Sequence, residues 1–211
     1  AILDALALGA RNMVTTAVLL VAIGLVVNAV ATTGLGNSFA LMIAEWSGDS
    51  LIIALVLVAA ASLVLGMGLP VTASYVVLAT LSAPALYDLI TRAELIEVLA
   101  SGAVPEAARA IFALAVPDVS LGAPMSTGAA AELLALMPPE MSGMLRDSLL
   151  SPALLTTALL SAHMIVFWLS QDSNVTPPVC LTAFAAAAIA ETPPMRTGLV
   201  AWKIAKSLYA I

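Results

Sequence analysis

The chain has 211 residues, of which 62% are apolar and only 9% charged, well above the roughly 45–50% apolar content of an ordinary soluble domain. Seven basic against thirteen acidic residues leave a net charge of −6, which argues against nucleic acid as a partner because that needs cationic neutralisation of phosphate. The single Cys180 excludes a disulfide within the chain.

Four stretches carry no Asp, Glu, Lys or Arg: residues 12–44, 50–87, 148–171 and 173–190. About 20 apolar residues cross the hydrocarbon core as a helix, so the first three are long enough and the fourth is marginal alone. A β-barrel would alternate polar and apolar residues over short segments; this chain shows blocks instead. The expected class is an all-α membrane protein in contact with lipid. No basic segment precedes an apolar core at the N-terminus, so no signal peptide is read. With no initiator Met, the chain reads as a piece of a longer protein.

Residues 1–50 are expected to form scaffold-type helices. Ile2, Leu3, Leu6 and Leu8, with Asp4 and Arg11, give a short amphipathic entry. Residues 13–31 form the first span, with Thr15, Thr16 and Asn28 as interhelical polar contacts. Thr32, Thr33, Gly34, Leu35 and Gly36 stop it with glycine caps. Phe39, Leu41, Met42, Ile43 and Trp46, ending in Glu45 and Asp49, read as an interfacial helix.

Residues 51–87 read as a re-entrant hairpin. The first arm, 51–65, is about 15 residues or ~22 Å, and the second, 74–86, is shorter still. Between them lie Gly66, Met67, Gly68, Leu69, Pro70, Val71, Thr72 and Ala73. Gly66 and Gly68 permit backbone conformations closed to other residues, and Pro70 cannot continue a helix. The second arm then opens near Thr72 with free N–H groups and a positive dipole end, suited to a carboxylate. The carbonyls that end the first arm suit a cation. The plain alternative is a kink with a packing role.

Residues 88–150 differ in kind. Asp88, Glu94, Glu97, Glu106, Asp118, Glu132, Glu140 and Asp147 face only Arg92, Arg109 and Arg146, with Pro105, Pro117, Pro124, Pro138 and Pro139 as punctuation. Short amphipathic helices outside the bilayer are expected.

Residues 151–191 read as one discontinuous transmembrane helix. Pro152 suits its first turn, and Thr156, Thr157 and His163 are read as interhelical hydrogen-bonding groups. Asn174, Val175, Thr176, Pro177 and Pro178 break it, because two prolines forbid regular pairing. Asn174, Thr176 and Thr182 supply neutral oxygens beside the freed carbonyls, which fits Na⁺. Asp172 is the only acid in this apolar neighbourhood, and an intramembrane acid is a functional candidate by default. Residues 179–190 complete the crossing, with Ala183 and Ala185 to Ala188 expected to pack tightly. Residues 192–211 form a basic interfacial segment with Arg196, Lys203 and Lys206 and the anchors Trp202 and Tyr209, leading to a next helix.

If Arg11 and the Arg196, Lys203 and Lys206 group lie in the cytoplasm, as the positive-inside rule asks, one outward crossing, a hairpin and one inward crossing leave the acidic segment outside. No HExxH, GxSxG or phosphate-binding loop is present. An intramembrane enzyme would need a second group beside Asp172, and His163 falls on the opposite side of the helix (~900° at about 100° per residue). The chain is therefore read as no enzyme; a purely structural scaffold half is the other alternative.

Two segments carry a resemblance to a known family. One is the tip from Gly66 through Leu78 with Ala83, Pro84, Ala85 and Leu86; the other runs from His163 to Phe167 and from Ser170 to Val179. Pro194, Met195, Arg196, Thr197, Gly198, Leu199, Ala201, Trp202 and Lys203 continue it. These resemble the large permease subunit of TRAP transporters, most closely the fused permeases that work with TAXI-type binding proteins. The resemblance covers nearly all the chain except the acidic segment, and it implies the C-terminal half of the permease, one inverted repeat of an elevator-type transporter. It further implies Na⁺-coupled import of organic acids across a bacterial or archaeal inner membrane, with solute handed over by a periplasmic binding protein. On the matching positions it places Gly66, Gly68, Pro70 and Thr72 at the tip and Asn174, Thr176, Pro177 and Pro178 at the break, with Na⁺ held through Gly66, Thr72, Asn174 and Thr176. No cofactor is expected beyond that coupling ion, and the N-terminal half of the permease is the expected partner within the protein.

Overall fold

The computed structural model describes residues 2–48, 50–116, 121–178 and 180–206. Asp49, Pro117, Asp118, Val179 and Tyr209, and the side chains of Thr15, Thr16, Pro139 and Glu140, lie outside the described residues. The described residues form helices α1 (Ile2–Thr33), α2 (Leu35–Ser47), α3 (Leu51–Gly66), α4 (Val71–Ser101), α5 (Glu106–Ala115), α6 (Thr127–Ala135), α7 (Pro139–Leu149), α8 (Pro152–Ser170), α9 (Leu181–Ile189) and α10 (Pro194–Ile204). A 3-10 turn, Gln171–Asn174, follows α8, and no strand occurs among the described residues. The chain divides into two compact units, one holding residues up to Ala85 and from His163 on, the other Leu86–Ala162.

In the first unit the entry segment and the first span are one continuous helix, α1. Its large apolar side chains, among them Ile2, Leu6, Val18, Val21 and Leu25, stand exposed. Gly34 then takes a left-handed φ of 70° and Gly48 one of 55°, each closing a helix where a side chain would be strained. Ser50 opens α3, its hydroxyl accepting the Ile53 N–H at 3.5 Å.

Among the described residues two segments are long and apolar enough to cross a membrane, Val71–Ser101 and Pro152–Asn174. Val21–Thr33 with Ser38–Ser47, bent by 72°, passes the same test as a pair. The 16 residues of α3 reach only ~24 Å, short of the ~30 Å hydrocarbon core.

The second hairpin arm does not stop at residue 86. It continues through Pro84 to Ser101, so length ceases to be an argument that this arm turns back. The charges that begin at Asp88 do not mark a helix end. Pro84 costs one hydrogen bond, to the carbonyl of Thr80 four residues earlier. That carbonyl faces α2, where a Cβ on Gly36 would come within 3.0 Å of it. The hydroxyls of Thr80, Ser82 and Thr91 bond back to Val76, Leu78 and Tyr87 carbonyls within the same helix.

The second unit has its own core. Leu95 and Leu99 of α4 pack with Val104, Ala108 and Phe112 around α5, Ala130, Leu134 and Met137 around α6, and Leu145 and Leu150 around α7. Gly102 ends α4 at a φ of 72°, with Pro124 N only 2.8 Å from where a Cβ would stand, so no other residue fits there. Ser126 caps α6 through the Ala129 N–H at 3.2 Å. Arg146 ties α7 to α4: it bonds Asp88 at 2.7 Å and lies 4.7 Å over the Tyr87 ring.

Thr156 and Thr157 are not interhelical contacts. They are exposed and bond back to the carbonyls of Pro152 and Ala153 within α8, the local alternative open to a threonine hydroxyl on a helix. Asn28 is likewise exposed. Ala183 and Ala187 are buried on α9, whereas Ala185, Ala186 and Ala188 are exposed. The close approach there lies instead between Cys180 and Gly198 of α10, where a Cβ would meet Cys180 Sγ at 2.6 Å.

Candidate functional site where the tip meets the break

The two interruptions of helix come together inside the first unit. Helix α3 buries one stripe, Ala54, Val58, Ser62 and Gly66, each four residues from the next and therefore on one face. That face meets the end of α8 and the 3-10 turn. Ser62 Oγ donates to the Leu169 carbonyl at 2.8 Å. One turn further on, a Cβ on Gly66 would stand 2.5 Å from Asp172 Oδ1 and 3.4 Å from Ser173 Cα.

The reason for glycine at 66 is this close approach and not its backbone freedom. Neither Gly66 nor Gly68 has a positive φ, which corrects the expectation drawn from their permissiveness. The chain leaves α3 by a tightening right-handed turn: Met67 N–H bonds Leu63 O at 3.2 Å, and Gly68 and Leu69 N–H groups bond Leu65 O at 3.0 Å. Gly68 is exposed, with only Leu65 O near its missing Cβ, at 3.9 Å. Pro70 accepts the Ser74 N–H at 2.9 Å as the first bond of α4. The N–H groups of Val71, Thr72 and Ala73 precede it and have no intrahelical acceptor. Thr72 is exposed, whereas Ser74 is wholly buried and its Oγ has no hydrogen-bond partner.

A second set of contacts holds the other arm. Tyr75 Oη is 3.1 Å from His163 Nδ1, and the Tyr75 ring meets Phe167 edge-on at 5.7 Å. His163 and Phe167 lie one turn apart on α8, so α3 and α4 both rest on the stretch that runs into the break.

Within the break, hydrogen bonds converge on one carbonyl. Asp172 O accepts Val175 N–H at 3.0 Å and Thr176 N–H at 2.8 Å, and Thr176 Oγ1 at 2.7 Å. Ser173 Oγ bonds Ser170 O at 2.9 Å. Asn174 donates to Gln171 Oε1 at 3.2 Å and accepts Thr182 Oγ1 at 3.0 Å, so Thr182 ties α9 back to the turn. Pro177 is half-buried and joined by a cis peptide to the exposed Pro178. Cys180 N–H bonds Thr176 O at 3.2 Å. Helix α9 then opens with the Leu181, Thr182 and Ala183 N–H groups beyond reach of any intrahelical acceptor.

Asp172 stands apart. It is 3% exposed, and its Oδ1, beside Gly66, has no hydrogen-bond partner. The structure thus brings Gly66 together with Asp172 and Thr176 in one buried place, while Gly68 and Thr72 are exposed on the hairpin tip. Ser62, Ser74 and Tyr75 were not singled out by sequence. The four-residue spacing of Ala54, Val58, Ser62 and Gly66 was the available signal for the first.

Such an arrangement can hold a cation against oxygen atoms, and the free N–H groups that open α4 and α9 each favour an anion. Comparison with curated proteins and with solved structures gives no match. A family model described as "Tripartite ATP-independent periplasmic transporter, DctM component" matches residues 1–209. It is a family of transporter permeases, not of enzymes, whose members work with a periplasmic binding protein and a small permease subunit. With nearly the whole chain matched and its apolar helices long enough to cross a membrane, this is a multi-pass membrane protein of the DctM family, the large permease component of TRAP-type secondary transporters.

Proposed function

We propose that the chain is the C-terminal half of a Na⁺-coupled permease that imports carboxylate-bearing solutes across a bacterial or archaeal cytoplasmic membrane, supplied by a TAXI-type periplasmic binding protein. The observation that carries this reading is the contact of Gly66 with Asp172: the hairpin tip and the broken helix meet at one buried place, which two unrelated kinks would not do. In this reading Na⁺ is held by backbone carbonyls at Gly66 and around Asp172, with oxygens of Thr72, Asn174 and Thr176. The free N–H groups that open α4 and α9 face the solute carboxylate, since helix N-termini favour anions. Half-helix ends presented by discontinuous helices are the general means by which secondary transporters bind ions and solutes.

The test is uptake by the full-length permease with its partner components, comparing wild type with Thr176→Val and Thr72→Val. Thr176→Val is expected to raise the half-saturating Na⁺ concentration several-fold, about what one lost hydrogen bond of 0.5–1.5 kcal/mol allows. Normal uptake and normal Na⁺ dependence in both variants would favour a scaffold role instead.

A further inference from the structure

Helix α10 carries charge of the opposite sign to the chain. Of seven basic residues in a chain of net charge −6, Arg196, Lys203 and Lys206 fall within residues 196–206. All three are exposed, and among the described residues none of them forms a hydrogen bond or an ion pair. Glu191, the one acid near them in sequence, is exposed and does not pair with them.

Helix geometry gives this segment two faces. Gly198 is buried, seated so closely on α9 that a Cβ would meet Cys180 Sγ at 2.6 Å and Phe184 at 3.5 Å. At about 100° per residue, Arg196 and Val200, each two residues from Gly198, lie on the side of α10 away from that seat. Lys203 and Ile204 fall on the same outer side. Val200 is 50% and Ile204 76% exposed, so cations stand beside bare aliphatic surface. A free anion would satisfy the cations and leave Val200 and Ile204 in water. A phospholipid of net negative charge satisfies both, its phosphate meeting the cations and an acyl chain covering the aliphatic pair. Trp202, also partly exposed, is of a type enriched at headgroup depth.

We propose that the outer face of α10 binds an anionic phospholipid, with the headgroup held by Arg196, Lys203 and Lys206 and an acyl chain along Val200 and Ile204. The site is placed to act on transport. Cys180, against which Gly198 packs, donates its N–H to Thr176 O at 3.2 Å, and Thr176 Oγ1 closes the broken turn on Asp172 O. A lipid that steadies α10 steadies the break through Cys180.

The experiment uses the purified full-length permease with its partner components. Native mass spectrometry reads the lipid retained from an equimolar mixture of phosphatidylglycerol and phosphatidylcholine, and solute uptake is measured in vesicles of each composition. Wild type is expected to retain phosphatidylglycerol in preference and to transport faster as it replaces phosphatidylcholine. Arg196→Gln and Lys203→Gln are each expected to cut the preference ~fivefold, and the triple variant with Lys206→Gln to abolish it, whereas Lys203→Arg keeps it. In pure phosphatidylcholine the triple variant is expected to match wild-type uptake. Lys203→Cys is expected to cross-link to a phospholipid with a maleimide headgroup. A wild type that does not discriminate between the lipids, or a triple variant with wild-type preference, overturns the proposal. So does a Lys203→Cys that forms no cross-link, since protein would then cover the face. Uptake indifferent to phosphatidylglycerol while the preference persists overturns the coupling through Cys180. The binding measurement needs neither Na⁺ nor solute, so its failure is distinct from failure of the proposed function.

Discussion

Gly66 and Gly68 look alike in the sequence and differ in the structure. A Cβ at 66 would meet Asp172 Oδ1 at 2.5 Å, whereas at 68 it would meet nothing closer than 3.9 Å. Gly66→Ala must therefore displace the carboxylate or the turn behind it, an overpacking cost of about 1–3 kcal/mol. Uptake is expected to fall ~tenfold or more in Gly66→Ala and by less than about twofold in Gly68→Ala, since 1.4 kcal/mol is tenfold in an equilibrium. Equal effects in an uptake assay would deny the contact its role. The residues of both breaks were legible because glycine and proline inside apolar runs have few other uses. That the glycine at 66 serves proximity and not a left-handed turn was not legible, because a single sequence shows no neighbour across space. Thr156 and Thr157 failed for a related reason: a helix hydroxyl reaches its own i−4 carbonyl as readily as another helix.

At the scale of elements, α3 and α4 are held by unlike contacts. Helix α3 uses a small-residue stripe and one serine hydroxyl; α4 uses Tyr75 on His163 and Phe167. Tyr75→Phe removes only the hydroxyl and is expected to weaken the α4–α8 seat by about 0.5–1.5 kcal/mol. A double-mutant cycle with His163→Leu should give a coupling energy in that range, read from thermal unfolding of the purified permease, and His163→Asn should recover part of it. Additive losses would mean that the 3.1 Å approach carries no energy. That these elements are helices followed from hydropathy and Gly/Pro punctuation. The end of α4 did not: a shift from apolar to charged composition was read as the end of a helix, when 31 residues from Val71 to Ser101 run through it. Hydrophobicity reports what surrounds a helix, and only caps report where it stops; here the stop is Gly102 in a left-handed φ.

For the whole molecule, the acidic composition of residues 88–150 corresponds to much of the compact unit Leu86–Ala162, with a closed core centred on residues such as Leu99, Phe112 and Leu145. Phe112→Ala is expected to cost about 3–5 kcal/mol. In hydrogen exchange its loss of protection should be confined to that unit, and spread into α3 and α9 would show that the two units unfold as one. Family membership in DctM rests on nearly the full length of the chain; what drives the transport is the central claim still to be tested. The most direct measurement is solute uptake by the full-length permease in proteoliposomes under an imposed Na⁺ gradient, compared with an imposed proton gradient without Na⁺. Accumulation driven by the Na⁺ gradient is expected, and none driven by protons alone. Proton-driven accumulation that ignores Na⁺ would contradict it.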